Sequence, residues 1–198
     1  MYRFFFKRVF DIIFSFLGLV IFAPVMFVVA VFVRWFLGAP IIFKQQRPGY
    51  KGNIFALYKF RTMKDVYDSN GNLLPDAQRL TTLGVFLRRI DLDELPELWN
   101  ILKGDMSFIG PRPLLPEYLH QYTEEELKRH DVRPGFAGLA ESYGRNNLTW
   151  EEQFRFDVMY AQTLTFWLDI KILFLIIWLV LSQKGKKNGK WIRPKFVR

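Results

Sequence analysis

The chain has 198 residues, 51% hydrophobic and 18% aromatic, with 21 Phe and a formal charge of +9: enough for one domain with a core, and apolar enough to meet lipid. The absence of cysteine excludes disulfides, thiolate metal sites and cysteine nucleophiles, and having only His120 and His130 argues against a histidine-rich zinc site. The excess of 28 Lys and Arg over 19 Asp and Glu attracts polyanions, and Lys184, Lys186, Lys187, Lys190, Arg193, Lys195 and Arg198 crowd the end of the chain beside an apolar stretch, which favours a membrane surface over a nucleic-acid groove.

Ile12 to Val33 is an uncharged apolar run, and about 20 such residues suffice for a helix to cross the hydrocarbon layer. It is too long for a signal-peptide core and no small-x-small cleavage site follows, so it belongs to the mature protein. Pro24 at its middle removes a backbone donor and clashes with the preceding turn. Arg3, Lys7 and Arg8 precede the run and Arg34, Lys44, Arg47 and Lys51 follow it, so both flanks look cytoplasmic by the positive-inside rule. Two topologies stand on the residues alone: a kinked span, and a helix that enters, bends at Ala23-Pro24 and returns to the same face.

Pro40 to Met63 reads as a hairpin, extended over Ile41 to Gln46 and Ile54 to Met63, with Arg47 to Asn53 as its turn. Alternation puts Phe55, Leu57, Lys59 and Arg61 on one face, where the two cations either reach phosphates or end a solvated strand. Asp65 to Gln78 is loop-like and is assigned no chemistry. Thr81 or Thr82 caps a helix that leaves Arg88 and Arg89 near its C-terminus, where they complement the helix dipole or serve a site.

The run Arg88 to Pro96, continuing to Gly110-Pro111-Arg112-Pro113, concentrates adjacent carboxylates and arginines. Pro96 suits only the first turn of a helix, which places Asp93 at or near the N-cap, stabilised as an anion by free backbone N–H groups. Asp93 is then a cap, or an ionised nucleophile and metal ligand; the D-x-x-E spacing of Asp91 and Glu94 offers a rival capping box. Paired carboxylates suit Mg²⁺, which is commonly held by one or two of them plus substrate phosphates. The two prolines around Arg112 stiffen it, either as a bidentate phosphate ligand or as an exposed turn. Thr149-Trp150-Glu151-Glu152 is a capping box opening a helix that carries Asp157, with Phe154, Phe156 and Tyr160 as core or membrane-facing residues. Ile172 to Ser182 is too short to span and reads as an interfacial helix beside the basic tail.

Together these segments resemble the small monotopic phosphoglycosyl transferases of the bacterial sugar transferase family. The resemblance rests on Lys7 to Asp11, Phe43 to Gly49, Tyr58 to Met63, Leu92 to Leu98, Leu102 to Pro113, Arg133-Pro134-Gly135 with Gly138-Leu139-Ala140, and Gly144-Arg145-Asn146. It implies an α+β fold: a re-entrant helix-break-helix over residues 1–36, a compact cytoplasmic catalytic domain over 37–183 with a small β-hairpin and interfacial helices, and a basic tail over 184–198. The implied reaction moves a sugar-1-phosphate from a UDP-sugar to undecaprenyl phosphate at the cytoplasmic face of the bacterial plasma membrane, releasing UMP. Asp93 carries over as the nucleophile of a covalent phosphosugar intermediate and Glu94 as its dyad partner, with Mg²⁺, or Mn²⁺ in its place, held by both. Lys59, Arg88 and Arg112 carry over as phosphate-binding residues, with Arg145 and Asp157 as further candidates. Anionic lipid is the expected surface and nucleic acid is not a partner; the oligomeric state is not readable. Two departures stand out: the bend is commonly Ser-Pro and here is Ala23-Pro24, without a hydroxyl for the freed backbone groups, and Ala140 to Tyr143 differs from many relatives. The competing reading from another class is a non-catalytic membrane-anchored scaffold of glycan assembly.

Overall fold

A computed structural model describes residues 1–144, 148–182 and 196. A π-helical turn, Tyr2–Phe6, leads into the long helix α1 (Lys7–Leu37). The combined segment Tyr2–Leu37 is long and apolar enough to cross a membrane by length and composition. The helix runs through Ala23-Pro24 without interruption, so the helix-break-helix expected there is not seen. Proline in a helix interior costs roughly 3 kcal/mol through one lost hydrogen bond and a local clash, but the apolar turns on both sides keep their own bonds and carry the helix across.

The hairpin follows as β1 (Ile42–Pro48) and β2 (Ile54–Phe60), closed by a 3-10 turn at Tyr50–Gly52 in which Lys51 and Gly52 have positive φ. Next come α2 (Asp76–Arg79), α3 (Thr82–Arg89), a 3-10 turn at Leu92–Glu94, α4 (Glu97–Lys103) and β3 (Ser107–Ile109). After them lie α5 (Glu124–Leu127), β4 (Gly135–Ala137), α6 (Leu139–Tyr143), α7 (Trp150–Thr163) and α8 (Phe166–Leu181). The class is α+β, with β3 and β4 pairing in parallel, Ser107 opposite Gly135. Thr81 caps α3 by accepting from the Gly84 N–H, and Thr149 and Glu152 form the expected reciprocal capping box of α7. The C-terminal helix begins at Phe166, earlier than the apolar run suggested, because Asp169 in its first turn is buried rather than solvated.

The chain forms two compact units. The first comprises Met1–Ile13, Gln46–Phe55 and Ile101–Arg198; the second comprises Phe14–Gln45 and Ala56–Asn100. In the first unit, Ile109, Val132, Leu139, Tyr160, Ala161 and Ile172 make the core. Buried Asp169 takes the Lys7 ammonium at 2.6 Å, the Tyr2 hydroxyl at 2.7 Å and the Tyr160 hydroxyl at 2.6 Å, so its charge is paired and hydrogen-bonded, as a buried carboxylate requires. Asp11 accepts from the Ser107 hydroxyl and the Phe108 N–H, and Arg8 donates to the carbonyls of Ile101 and Leu102 at 2.6 Å each, covering the C-terminal end of α4. A second cluster joins Tyr118, Tyr122, Phe154 and Phe196.

In the second unit, Val29, Val33 and Leu37, four residues apart along α1, face Phe60 and Leu87, with Met26, Leu83, Leu92 and Leu95 packed around them. Arg61 is buried and spent on structure: it donates to the carbonyls of Leu37 and Ala39 at the end of α1, to that of Met63, and to Asp65 at 2.7 Å. Of the two strand cations, Arg61 therefore closes the helix end. Asn100, fully buried, accepts from the Tyr58 N–H and donates to the Ala56 carbonyl, tying α4 to β2.

Phe196 falls within the basic tail, whose lysines and arginines lie outside the described residues, yet its ring is only 5% exposed and meets Tyr118 and Phe154 edge to face. Phe196→Ala should therefore destabilise the protein by about 3 kcal/mol, the cost of removing a buried aromatic ring. Denaturant unfolding in detergent measures this; an unchanged midpoint would show that the tail is not part of the core.

Candidate active site

The second unit builds a charged cluster on an apolar base. Lys59 stands one residue before the end of β2, and Phe60 after it points into the core against α1. Gly84 allows α3 to lie directly on Thr62: a Cβ there would come within 2.0 Å of the Thr62 carbonyl oxygen. That approach lets Thr62 accept, through its hydroxyl, a 3.0 Å hydrogen bond from Arg88 Nε. The guanidinium, read from the sequence as answering the helix dipole or serving a site, is thus oriented by a side chain from the preceding segment.

α3 ends at Arg89, and Asp91 takes the left-handed conformation, φ 57°, that turns the chain into the Leu92–Glu94 3-10 segment. Asp and Asn accept this conformation more readily than most residues. Asp91, not Asp93, therefore occupies the N-cap position, with no side-chain capping bond, and the Asp91–Glu94 capping box is not formed. Asp93 and Glu94 lie inside the 3-10 turn, while Leu92 and Leu95 join the apolar cluster beneath.

Lys59 Nζ lies 2.6 Å from Glu94 Oε1 and 3.1 Å from Glu97 Oε1, so one ammonium holds two glutamates. Glu97 is 2% exposed and Asp93 7% exposed. Burial, and then the neighbouring Glu94 charge, push the Asp93 carboxyl above the ordinary aspartate range, with Lys59 and Arg88 pulling the other way. Lys59 and Arg88, among the described residues, lie beside Asp93, Glu94 and Glu97, and Asp93 is partly desolvated, a setting in which a carboxylate serves as nucleophile or takes a cation. Among the described residues no ready-made cluster of three or more Asp, Glu or His side chains holds a metal.

Lys59, Arg88, Asp93 and Glu94 thus come together in the second unit. Arg112 belongs to the first, where its turn is held firmly: its carbonyl accepts from Arg129 at 2.8 Å, the Pro113 carbonyl accepts from Arg47, and the Pro111 carbonyl accepts from the Gly135 N–H. Gly135 must lack a side chain, since a Cβ would come within 2.1 Å of the Gly110 nitrogen. Asp157, also in the first unit, is about 1% exposed and pairs with Arg129 at 2.6 Å; burial raises its carboxyl to about 6 against the arginine's pull. Its carboxylate faces a guanidinium inside the core and braces the element that holds Arg112. Arg145 lies outside the described residues. Thr62, Glu97 and Asn100 went unnoticed in the sequence; Glu97 alone had a signal, standing three residues after Glu94 at helical spacing.

The bacterial sugar transferase family pattern matches residues 2–183. The chain belongs to this family. This sugar transferase is 52% identical over 161 residues to the uncharacterized sugar transferase EpsL of Bacillus subtilis, covering 81% of this chain and 79% of EpsL. It is 36% identical over 204 residues to the undecaprenyl-phosphate galactose phosphotransferase of Salmonella typhimurium, covering 91% of this chain and 41% of that protein. It is 37% identical over 183 residues to the UDP-glucose:undecaprenyl-phosphate glucose-1-phosphate transferase of Klebsiella pneumoniae, covering 87% and 39%. The chain thus spans most of EpsL and about two fifths of the two longer relatives.

The raised carboxyl of Asp93 makes a stability prediction for the sugar transferase. A group whose folded pKa lies above its unfolded value favours folding below the unfolded value, and that contribution is lost as pH rises through the folded one. Asp93→Asn, which cannot ionise, should melt higher than the wild type at neutral pH, and the difference should shrink as pH falls toward 4, near the unfolded aspartate value. Thermal melts of both proteins across this range check it; a lower melting temperature for Asp93→Asn at neutral pH would mean that the carboxylate stabilises the fold.

Proposed function

We propose that the chain transfers a sugar-1-phosphate from a UDP-sugar to undecaprenyl phosphate, with Asp93 as nucleophile. The observation that carries this reading is the buried Asp93 carboxyl, raised by burial and by Glu94, set beside the cations Lys59 and Arg88. Such a group is poorly solvated and has phosphate-binding charges next to it, as attack on a diphosphate demands. The names of the Salmonella and Klebsiella relatives, which specify undecaprenyl phosphate in both cases and UDP-glucose in one, support the substrate class.

In the proposed sequence an Asp93 oxygen attacks the β-phosphorus, the bond to the bridging oxygen breaks, and UMP leaves with that oxygen and its electron pair. Lys59 and Arg88 neutralise the phosphoryl oxygens, and Glu94, pinned by Lys59, keeps the turn in register. An oxygen of undecaprenyl phosphate then attacks the same phosphorus and releases the Asp93 carboxylate. The acceptor is already anionic near neutral pH, so no strong base is needed. Asp93 and Glu94 would hold Mg²⁺ together with substrate oxygens, which fits two carboxylates adjacent in one 3-10 turn. Bound there, the ion would neutralise charge on the diphosphate.

We place the protein on the cytoplasmic face of the membrane, with α1 bending at Pro24 within its continuous helical course so that it enters and leaves by the same side. Arg3, Lys7 and Arg8 before the apolar run and Arg34, Lys44, Arg47 and Lys51 after it give both flanks the positive charge of cytoplasmic segments, which supports this placement.

Purified protein incubated with Mg²⁺, undecaprenyl phosphate and a panel of UDP-sugars should release UMP, and chelation should stop it. With the donor alone, intact mass should show a phosphosugar adduct that Asp93→Asn abolishes. Folded protein that releases no UMP from any common UDP-sugar would favour the scaffold reading, and an adduct surviving in Asp93→Asn would move the nucleophile elsewhere.

A further inference from the structure

The first unit contains a second charged concavity, built where the N-terminal turn meets the β3 and β4 region. It has a volume of about 130 Å³, and Arg3, Lys7, Asp11, Asp131 and Arg133 line it together with Phe4. At roughly 30 Å³ per liquid water, that is room for about four waters or one phosphate-sized oxyanion. Arg3, Lys7 and Asp11 reach it because they repeat every four residues and so share one helix face.

Its charges are not equally committed. Lys7 is paired with Asp169, Asp131 with Lys51 at 2.5 Å, and Asp11 already accepts from Ser107 and Phe108. The two arginines are different. Arg3 donates to the Asp131 carbonyl at 2.8 Å and Arg133 to the Gly104 carbonyl at 2.9 Å, and among the described residues neither has a carboxylate within ion-pair distance. Each guanidinium carries five N–H donors, so most of this donor capacity is open to an anion.

We propose that this concavity binds the phosphate of an anionic membrane lipid between Arg3 and Arg133. The choice of a lipid rests on the membrane placement given above. Phe4, which lines the concavity, is 74% exposed, Leu164 and Val132 line it too, and the uncharged run begins at Ile12, so apolar side chains suited to acyl chains adjoin the arginines. Cations immediately before an apolar segment sit at headgroup depth, where each attracts anionic lipid. The site differs in residues from the Asp93 cluster and from the tail lysines, and it would hold the N-terminal turn at the interface.

Native mass spectrometry of the full chain released from detergent, with short-chain phosphatidylglycerol as probe, tests this. The wild type should retain one lipid, and Arg3→Gln with Arg133→Gln should weaken retention at least tenfold. Arg3→Lys, which keeps charge but not the planar fork, should fall between, and substituting Lys184, Lys186, Lys187 and Lys190 by Gln should leave the adduct intact. Inorganic phosphate competing as effectively as the lipid would assign the site to free phosphate and overturn the lipid assignment. Retention unchanged in the double variant, with melting temperature also unchanged, would overturn the site altogether. Should the double variant fail to fold, the Arg3→Lys and tail arms still decide: an adduct lost only with the tail variant rejects the proposal. Asp93→Asn should keep the lipid; a wild type that retains no lipid yet releases UMP rejects this inference alone, and one that retains lipid yet releases no UMP rejects the catalytic reading alone.

Discussion

The contact of Val29, Val33 and Leu37 with Phe60, Leu87, Leu92 and Leu95 is the constraint on which the candidate active site depends. Each of the partner residues stands beside a charged one: Phe60 beside Lys59, Leu87 beside Arg88, Leu92 and Leu95 on either side of Asp93 and Glu94. The apolar neighbour enters the cluster on α1 and leaves the charged one at its border. A helix whose composition suits lipid is thus also the floor of the site, and the position of every charged group there is referred to it. This coupling explains why Arg61 is used as a structural clamp on the last turn of α1: a shift of that turn would be passed to Lys59 through the adjacent Phe60.

Electrostatics then works against stability. Placing Asp93, Glu94 and Glu97 around one lysine and one arginine, partly out of water, raises the cost of keeping Asp93 ionised. Folded proteins keep such arrangements where the unfavourable charge is relieved by something that arrives during function, and here the relief would come from a cation and from the substrate's engagement of Lys59 and Arg88. The first unit shows the contrast. Its buried carboxylates Asp169 and Asp157 each have a cation at 2.6 Å and brace the core, and burial still raises the Asp157 carboxyl to about 6. A raised carboxyl alone therefore does not separate bracing from chemistry; the placement of Asp93 on a turn beside Lys59 and Arg88 does.

The sequence was most legible where chemistry is local. Thr81 and the Thr149–Glu152 box cap the helices whose spacing announced them, and the hairpin turn lies where Pro48-Gly49 and Gly52-Asn53 placed it. The grouping of Lys59 and Arg88 with the carboxylate pair followed from residue type and family resemblance. What was not legible depends on contacts distant in sequence. Asn100 acquires its role by meeting the β2 backbone, Thr62 by meeting Arg88, and Phe196 by entering an aromatic cluster built from Tyr118, Tyr122 and Phe154. Asp93 was expected near a helix cap because Pro96 was taken to mark the first turn; the chain instead inserts a 3-10 turn, started by Asp91 in the left-handed region, which no propensity of Asp91 required. The break at Pro24 was expected from a local rule, and a long apolar helix outweighs one missing hydrogen bond.

The distribution of exposed side chains separates residues suited to lipid from the carboxylates of the candidate site. Trp167, Phe174 and Trp178 on α8 are 76%, 68% and 62% exposed, as are Phe4 and Phe27 on the N-terminal segment at 74% and 70%. The two Trp rings suit the interfacial region, where the apolar body enters lipid and the indole N–H stays hydrated, whereas the Phe rings have no polar edge and suit the hydrocarbon side. Asp93 and Glu97, by contrast, are buried by protein. Exposed aromatic rings thus mark faces suited to lipid, while the carboxylates of the candidate site are desolvated by the chain's own side chains, so lipid contact and the polarity of that site are set by separate sets of residues.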